Sequence, residues 1–96
     1  MTGYVLSPRA QADIDEIWDY TADRWNEDQA ERYTQDLRRA IEAVARDPRK
    51  GRSCDHIRRG YRKYLVGAHV LFFRAVADRI EVVRVLHQRM DFEQHL

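Results

Sequence analysis

The chain has 96 residues and a mass of 11.5 kDa, room for one domain near the lower limit for a self-sufficient core. Hydrophobic residues make up 44% and charged residues 34%, which excludes collagen-like, low-complexity and disordered chains. No apolar run reaches the roughly 18 residues of a membrane span. The net charge of +1 hides an asymmetry: residues 1–48 carry six Arg and no Lys against eleven acids, whereas residues 49–96 carry eleven cations against five acids.

The basic excess is concentrated at Arg49, Lys50, Arg52, Arg58, Arg59, Arg62 and Lys63, with Asp55 the only acid among them. Such asymmetry predicts a charged partner for one surface, either a nucleic acid or an acidic protein. Fifteen of the seventeen cations are Arg, whose planar fork suits carboxylate and phosphate. Cys54 is the only cysteine, so an intramolecular disulfide is excluded. Together with a Met1–Arg9 stretch that lacks an apolar signal core, this predicts a cytoplasmic protein.

In chain order, Tyr4-Val5-Leu6 reads as a short strand stopped by Ser7-Pro8. Ser7 can cap a helix that begins with Pro8, because proline there gives up an N–H that has no helical partner. Ala10, Ile14, Ile17, Trp18, Thr21 and Trp25 recur at helical spacing and define an apolar face. Asp13, Asp15, Glu16, Asp19 and Asp23 lie on the opposite face.

Asn26 to Gln29 has the form of a capping box for a second helix, with Ala30, Tyr33, Leu37, Ile41, Val44 and Ala45 on its apolar face. This helix should stop at Asp47, because the residue before Pro48 is pushed out of the helical region. The tight turn between the two makes an antiparallel hairpin, with Trp18, Trp25 and Tyr33 expected in the core.

Pro48 to Gly60 is expected to be a loop that carries most of the basic cluster. Beyond it the apolar period shortens. Tyr61–Val66, His69–Val76 and Arg79–Leu86 are rich in Val, Ile, Leu, Phe and Tyr. The short turns Gly67-Ala68 and Ala77-Asp78 make them an antiparallel meander. Val70-Leu71-Phe72-Phe73 is apolar on both faces, as a central strand would be. The expected fold is α+β in the order β-α-α-β-β-β, a helical hairpin covering one face of a small, mainly antiparallel sheet. The other face is left open as a partner site, and the first strand adds to an unspecified edge.

Several residues suggest chemistry. Cys54-Asp55-His56 places a thiol near an imidazole, but neighbours in a loop seldom meet in hydrogen-bond geometry, so an incidental cysteine is the favoured reading. His56, His69, His87 and His95 have no zinc-like spacing, and neither a metal nor a cofactor is expected. His87, with Arg58, Arg62 and Arg84, could supply the acid–base group and the cations of a metal-independent ribonuclease. The acidic helices argue against direct DNA binding, since they would repel phosphate.

The C-terminal run Arg84-Val85-Leu86-His87-Gln88-Arg89-Met90-Asp91, ending in His95-Leu96, resembles the closing signature of ParE toxins. These belong to the RelE/ParE superfamily of type II toxin–antitoxin systems. Tyr4-Val5-Leu6-Ser7, Ala10, Asp13-Ile14, Trp18 with Tyr20, and Ala30 with Tyr33 are also similar to that family. So are Pro48 with Gly51, Gly60-Tyr61-Arg62, and His69-Val70 through Phe72-Phe73-Arg74. The resemblance runs over residues 1–96 as a single ParE-like toxin domain.

It implies growth arrest through DNA gyrase without enzymatic activity, as in plasmid stabilization systems. It also implies neutralisation by a ParD-like antitoxin in a higher-order hetero-oligomer, away from membranes. The RelE branch, which cleaves messenger RNA on the ribosome, is the alternative; there His87, Arg84, Arg62 and Arg58 would be catalytic. On the ParE reading, Arg58, Arg59, Arg62 and Lys63 would bind the antitoxin. The tail residues Arg89, Met90, Asp91 and His95 would engage the target.

Overall fold

A computed structural model describes residues 3–96. Strand β1, Gly3–Leu6, leads into helix α1, Pro8–Arg24. The Ser7 hydroxyl caps this helix by accepting from the Ala10 amide at 3.0 Å. Asn26 caps helix α2, Glu27–Arg46, by accepting from the Gln29 amide at 2.8 Å. Asp47, extended before Pro48, ends it as expected.

A 3-10 turn at Pro48–Lys50 precedes β2, Arg52–Ser53, and the meander follows as β3, Tyr61–Val66, β4, His69–Val76, and β5, Arg79–His87. A one-turn helix, α3, closes the described chain at Phe92–His95.

The sheet order is β1-β5-β4-β3-β2. The meander is antiparallel, as its short turns require, whereas β1 joins the free edge of β5 in parallel, with Leu6 opposite Val82. Gly67 adopts φ +56° in the β3–β4 turn, and Ala77 takes φ +57° in the β4–β5 turn. The pairing of β4 with β5 shifts between Phe72 and Phe73, so Val83 is bulged out of register.

The helical hairpin packs on one sheet face. Ile17, Leu37, Ile41 and Val44 meet Leu71, Phe73, Ile80, Val82 and Val85 there in a single buried cluster. Phe73 presses against Gly51, where a Cβ would lie 2.5 Å from the Phe73 ring, so only glycine fits.

The expectation of an open second face is corrected. Buried Cys54, Val70, Phe72 and Leu86 form a second core there, covered by Ile57, Tyr61, Phe92 and Leu96. The Phe92 ring stands edge-on to Phe72 at 4.8 Å between centroids. The loop and the tail therefore cover much of what a bare meander would expose. Phe92 and Leu96 are four residues apart and so share one face of the final turn.

Two helix-wheel assignments are also corrected. Trp25 is 70% exposed at the hairpin tip, where it is the residue that caps the end of α1. Asp13, placed opposite the apolar face, instead turns to β5, where α1 runs along the edge that β1 leaves bare.

Candidate functional site

Asp13 is the centre of a polar cluster that is largely shielded from solvent. Its carboxylate accepts two hydrogen bonds from Arg84, Nε–H at 2.8 Å and Nη2–H at 2.9 Å, and a third from the Val85 amide at 2.9 Å. The Arg84 and Asp13 side chains are only 14% and 11% exposed. A bidentate, charge-assisted pair in this setting is the strong kind of ion pair. It raises the Arg84 pKa further above its ordinary value. Arg84 also donates to the His95 carbonyl at 3.0 Å and so ties α3 to β5.

Beside this pair lies a cleft of about 410 Å3, between α1 and the end of β5, with Glu16, Tyr20, His69, His87 and Met90 on its walls. His87 and His69 are partners in register, with ring centroids 5.4 Å apart. The His69 Nδ1 lies 2.6 Å from the Tyr33 hydroxyl, which also accepts from the Ala68 amide. The same hydroxyl also donates to the Val66 carbonyl at 3.3 Å, and the imidazole tautomer sets which of Tyr33 and His69 donates to the other.

Burial and the neighbouring His87 both lower the His69 pKa, while burial raises that of Tyr33. The His87 Nδ1 accepts from the Arg89 amide at 3.1 Å. Among the described residues, no three His, Cys, Asp or Glu side chains converge as a cation site.

The nuclease set is only half assembled. Arg84 shares the cleft with His87 but is already occupied by Asp13. Arg62 pairs in register with Phe73, four positions along β4 from His69, or ~13 Å at the rise of a strand. Its guanidinium donates to the Gly51 carbonyl at 2.8 Å. Arg58 donates through Nε–H to the Leu96 backbone oxygen at 3.2 Å. Arg62 thus lies toward the far end of the sheet from His87, whereas Arg58 holds the backbone oxygen next to the His95 carbonyl that Arg84 binds. Cys54 is fully buried and its thiol pKa is raised by that burial, which keeps it in the unreactive thiol form.

The antitoxin set is also divided. Arg62 points to the helix side of β3 and Lys63 to the other, as alternation along a strand demands. Arg59 is exposed in the loop. Lys63 instead joins Lys50 and Arg52 along a groove of about 550 Å3 floored by Leu65, Val70 and Phe92. Lys50 and Arg52 were visible as charges, but their convergence depends on the two-residue β2, which sequence reasoning read as loop.

In the tail, Arg89 and Met90 are exposed, Asp91 caps α3 by accepting from the Glu93 amide, and His95 is half-buried.

The family model for the ParE toxin of type II toxin–antitoxin systems, parDE, matches residues 4–92. The chain belongs to the ParE toxin family. This ParE-family chain is 56% identical to "Toxin ParE1" of Mycobacterium tuberculosis H37Rv over 94 residues, covering 97% of this chain and 96% of the relative. It is 45% identical to "Toxin ParE1" of Caulobacter vibrioides over 96 residues, covering 100% and 99%.

Its fold matches a solved structure titled "Chromosomal ParDE TA system from P. aeruginosa", with a TM-score of 0.79 and 19% identity over 91% of this chain and 96% of that one. The expected α+β architecture, a helical hairpin on a small sheet, is thus shared with a structure from such a system. No helix among the described residues is long and apolar enough to cross a membrane.

Proposed function

We propose that this ParE-family toxin is neutralised by a ParD-like antitoxin and arrests growth in the cytoplasm by binding DNA gyrase, without chemistry of its own. The observation that carries the non-enzymatic half is the state of Arg84. A metal-independent ribonuclease needs a free cation beside its acid–base group to stabilise the charge that develops on phosphate. Within the nuclease set, the Arg84 guanidinium is held by two bonds to Asp13, and Arg58 and Arg62 donate to backbone oxygens. Family membership over nearly the whole chain supports the antitoxin partner, and the family resemblance supports gyrase as the target. Assembly with the antitoxin is expected to give a higher-order hetero-oligomer.

On this reading the target meets the tail, through exposed Arg89 and Met90, with His95 and Asp91 fixing α3. Truncation after His87 is a poor test of this, because it would strip Phe92 and Leu96 from the second core. Arg89→Ala with Met90→Ala leaves that packing alone. The test is induction in cells without antitoxin, scored by growth, by mapping of messenger RNA ends and by gyrase supercoiling with purified protein. Gyrase inhibition with intact messages is expected, with the double variant impaired in both growth arrest and inhibition. Cleaved messages, abolished ~10²- to 10⁴-fold by His87→Ala as loss of an acid–base group requires, would overturn the reading.

A further inference from the structure

The groove at the outer edge of β3 combines an uncovered strand edge, an apolar floor and unpaired cations among the described residues. Strand β2 pairs only with Arg62 and Lys63, so among the described residues no strand covers that edge over Tyr64–Val66. Alternation fixes which backbone groups face outward. Val66 pairs with His69 at the closing end of the β3–β4 hairpin, so even-numbered residues of β3 point to β4. The Tyr61 carbonyl points the other way, to the Cys54 amide at 2.9 Å. Lys63 and Leu65 follow it, so the Leu65 N–H and C=O are presented at an uncovered edge. Its side chain is 60% exposed over half-buried Phe92.

The groove is lined by Lys50, Arg52 and Lys63 and by no acid. None of these three cations makes an ion pair among the described residues, whereas Arg49, beside them in sequence, is held by Asp47.

We infer that this edge receives an extended acidic segment of the antitoxin as an added strand in line with β2. The segment's backbone pairs with Leu65, one apolar side chain sits on Leu65, Val70 and Phe92, and flanking carboxylates reach Lys50, Arg52 and Lys63. Main-chain pairing gives such a segment its affinity, and the alternate side chains give it specificity. The charge pattern alone would also suit a nucleic acid. The unpaired strand groups of Leu65 favour a peptide, whose own backbone can extend the ladder as a nucleic acid cannot. Because Phe92 belongs to the tail, the same segment would pin the residues proposed to meet the target. The inference rests on the reading of the chain as a toxin with an antitoxin, and it names the site and the form of that contact.

The test uses the full chain co-purified with the protein encoded by the adjacent reading frame. Wild type must first capture that partner; if it does not, both the toxin–antitoxin reading and this site fall. With capture established, Arg52→Glu/Lys63→Glu is compared with Arg9→Glu/Arg79→Glu, a control of equal charge change at exposed residues away from the groove. The groove variant is expected to weaken the complex by ~30-fold or more and the control by less than about threefold.

Hydrogen exchange on the wild-type complex gives a second readout that does not depend on a variant folding. The Leu65 amide is expected to exchange rapidly in the free protein and at least ten times more slowly in the complex. Capture that survives the groove variant, or a Leu65 amide whose exchange the partner leaves unchanged, overturns the proposal. So does Lys63-dependent binding of a uridine-rich RNA 12-mer that the partner does not displace.

Discussion

Replacing Asp13 with Ala removes two bonds to Arg84 and one to the Val85 amide. What remains is a guanidinium 14% exposed, with the His95 carbonyl as its remaining partner, and a backbone N–H on a buried residue with none. Breaking a buried pair by deleting one member costs about 3–5 kcal/mol, and an orphaned amide about 1–3 kcal/mol. The Arg84 side chain keeps some access to water, so the lower end applies and the total should be about 3–4 kcal/mol.

A domain of this size has roughly 5–14 kcal/mol in hand and an unfolding entropy near 0.2 kcal/mol/K. The variant should therefore melt about 15 °C lower in calorimetry and still fold at 25 °C. The loss should persist at 0.5 M salt, because the pair is shielded from mobile ions. Asp13→Leu with Arg84→Met should recover much of it, since apolar residues of similar size remove both charges together. A melting shift under about 4 °C, or one that salt abolishes, would show that Asp13 is a surface carboxylate after all.

Three further outcomes follow from single positions. Gly67→Ala should cost about 2 kcal/mol or more in denaturant unfolding, because φ is +56° and the new Cβ would lie 2.9 Å from the Tyr33 ring and hydroxyl. Ala77→Gly should do the opposite and raise stability by about 0.5 kcal/mol, since Ala77 holds φ +57° at a turn where glycine carries no Cβ strain. His69 has a folded pKa below its ordinary value of 6.5, so its neutral form stabilises the fold. That contribution is complete above the unfolded pKa and is lost as pH falls from 6.5 toward the folded pKa, because the unfolded chain takes up the proton first. Unfolding free energies measured across this window should fall with acid in the wild type and fall less steeply in His69→Gln.

Most of the fold was legible because its elements are long and strongly patterned. Ser7-Pro8, Asn26 with Gln29, and Asp47-Pro48 mark the helix ends with chemistry that acts within three residues, and the structure uses each of them. What was not legible depends on contacts distant in sequence. A two-residue β2 has no period to detect. The parallel placement of β1 is decided by which edge of the meander α1 can reach. Asp13 sits at a polar position of the helical wheel, and nothing local shows that α1 outruns β1 and places this carboxylate over the Val85 amide. The cover on the second sheet face had a faint signal in Phe92 and Leu96, apolar and four apart after an Asp91 that can cap. Met90, which the same reasoning would bury, stays 45% exposed because it precedes the turn that Asp91 begins.

The cations show why charge in a sequence is a poor guide to charge available for binding. The richness in Arg pointed to recognition, and Arg58, Arg62 and Arg84 were among the residues it singled out. All three donate to partners within the chain: Arg58 to the Leu96 backbone oxygen, Arg62 to the Gly51 carbonyl, and Arg84 to Asp13 and the His95 carbonyl together. A planar fork with five donors can satisfy a carboxylate on one side and a carbonyl on another, which a single ammonium on a flexible stem cannot hold in fixed geometry. Arginine is thus the residue suited to tying a tail and a loop to a sheet in a chain too small to do so with apolar area alone. The chain has only two lysines, Lys50 and Lys63, and both line the groove beside β3, where neither makes an ion pair among the described residues. Much of the arginine surplus thus serves to build the surface, and the lysines are the cations left on it for the acidic segment proposed above.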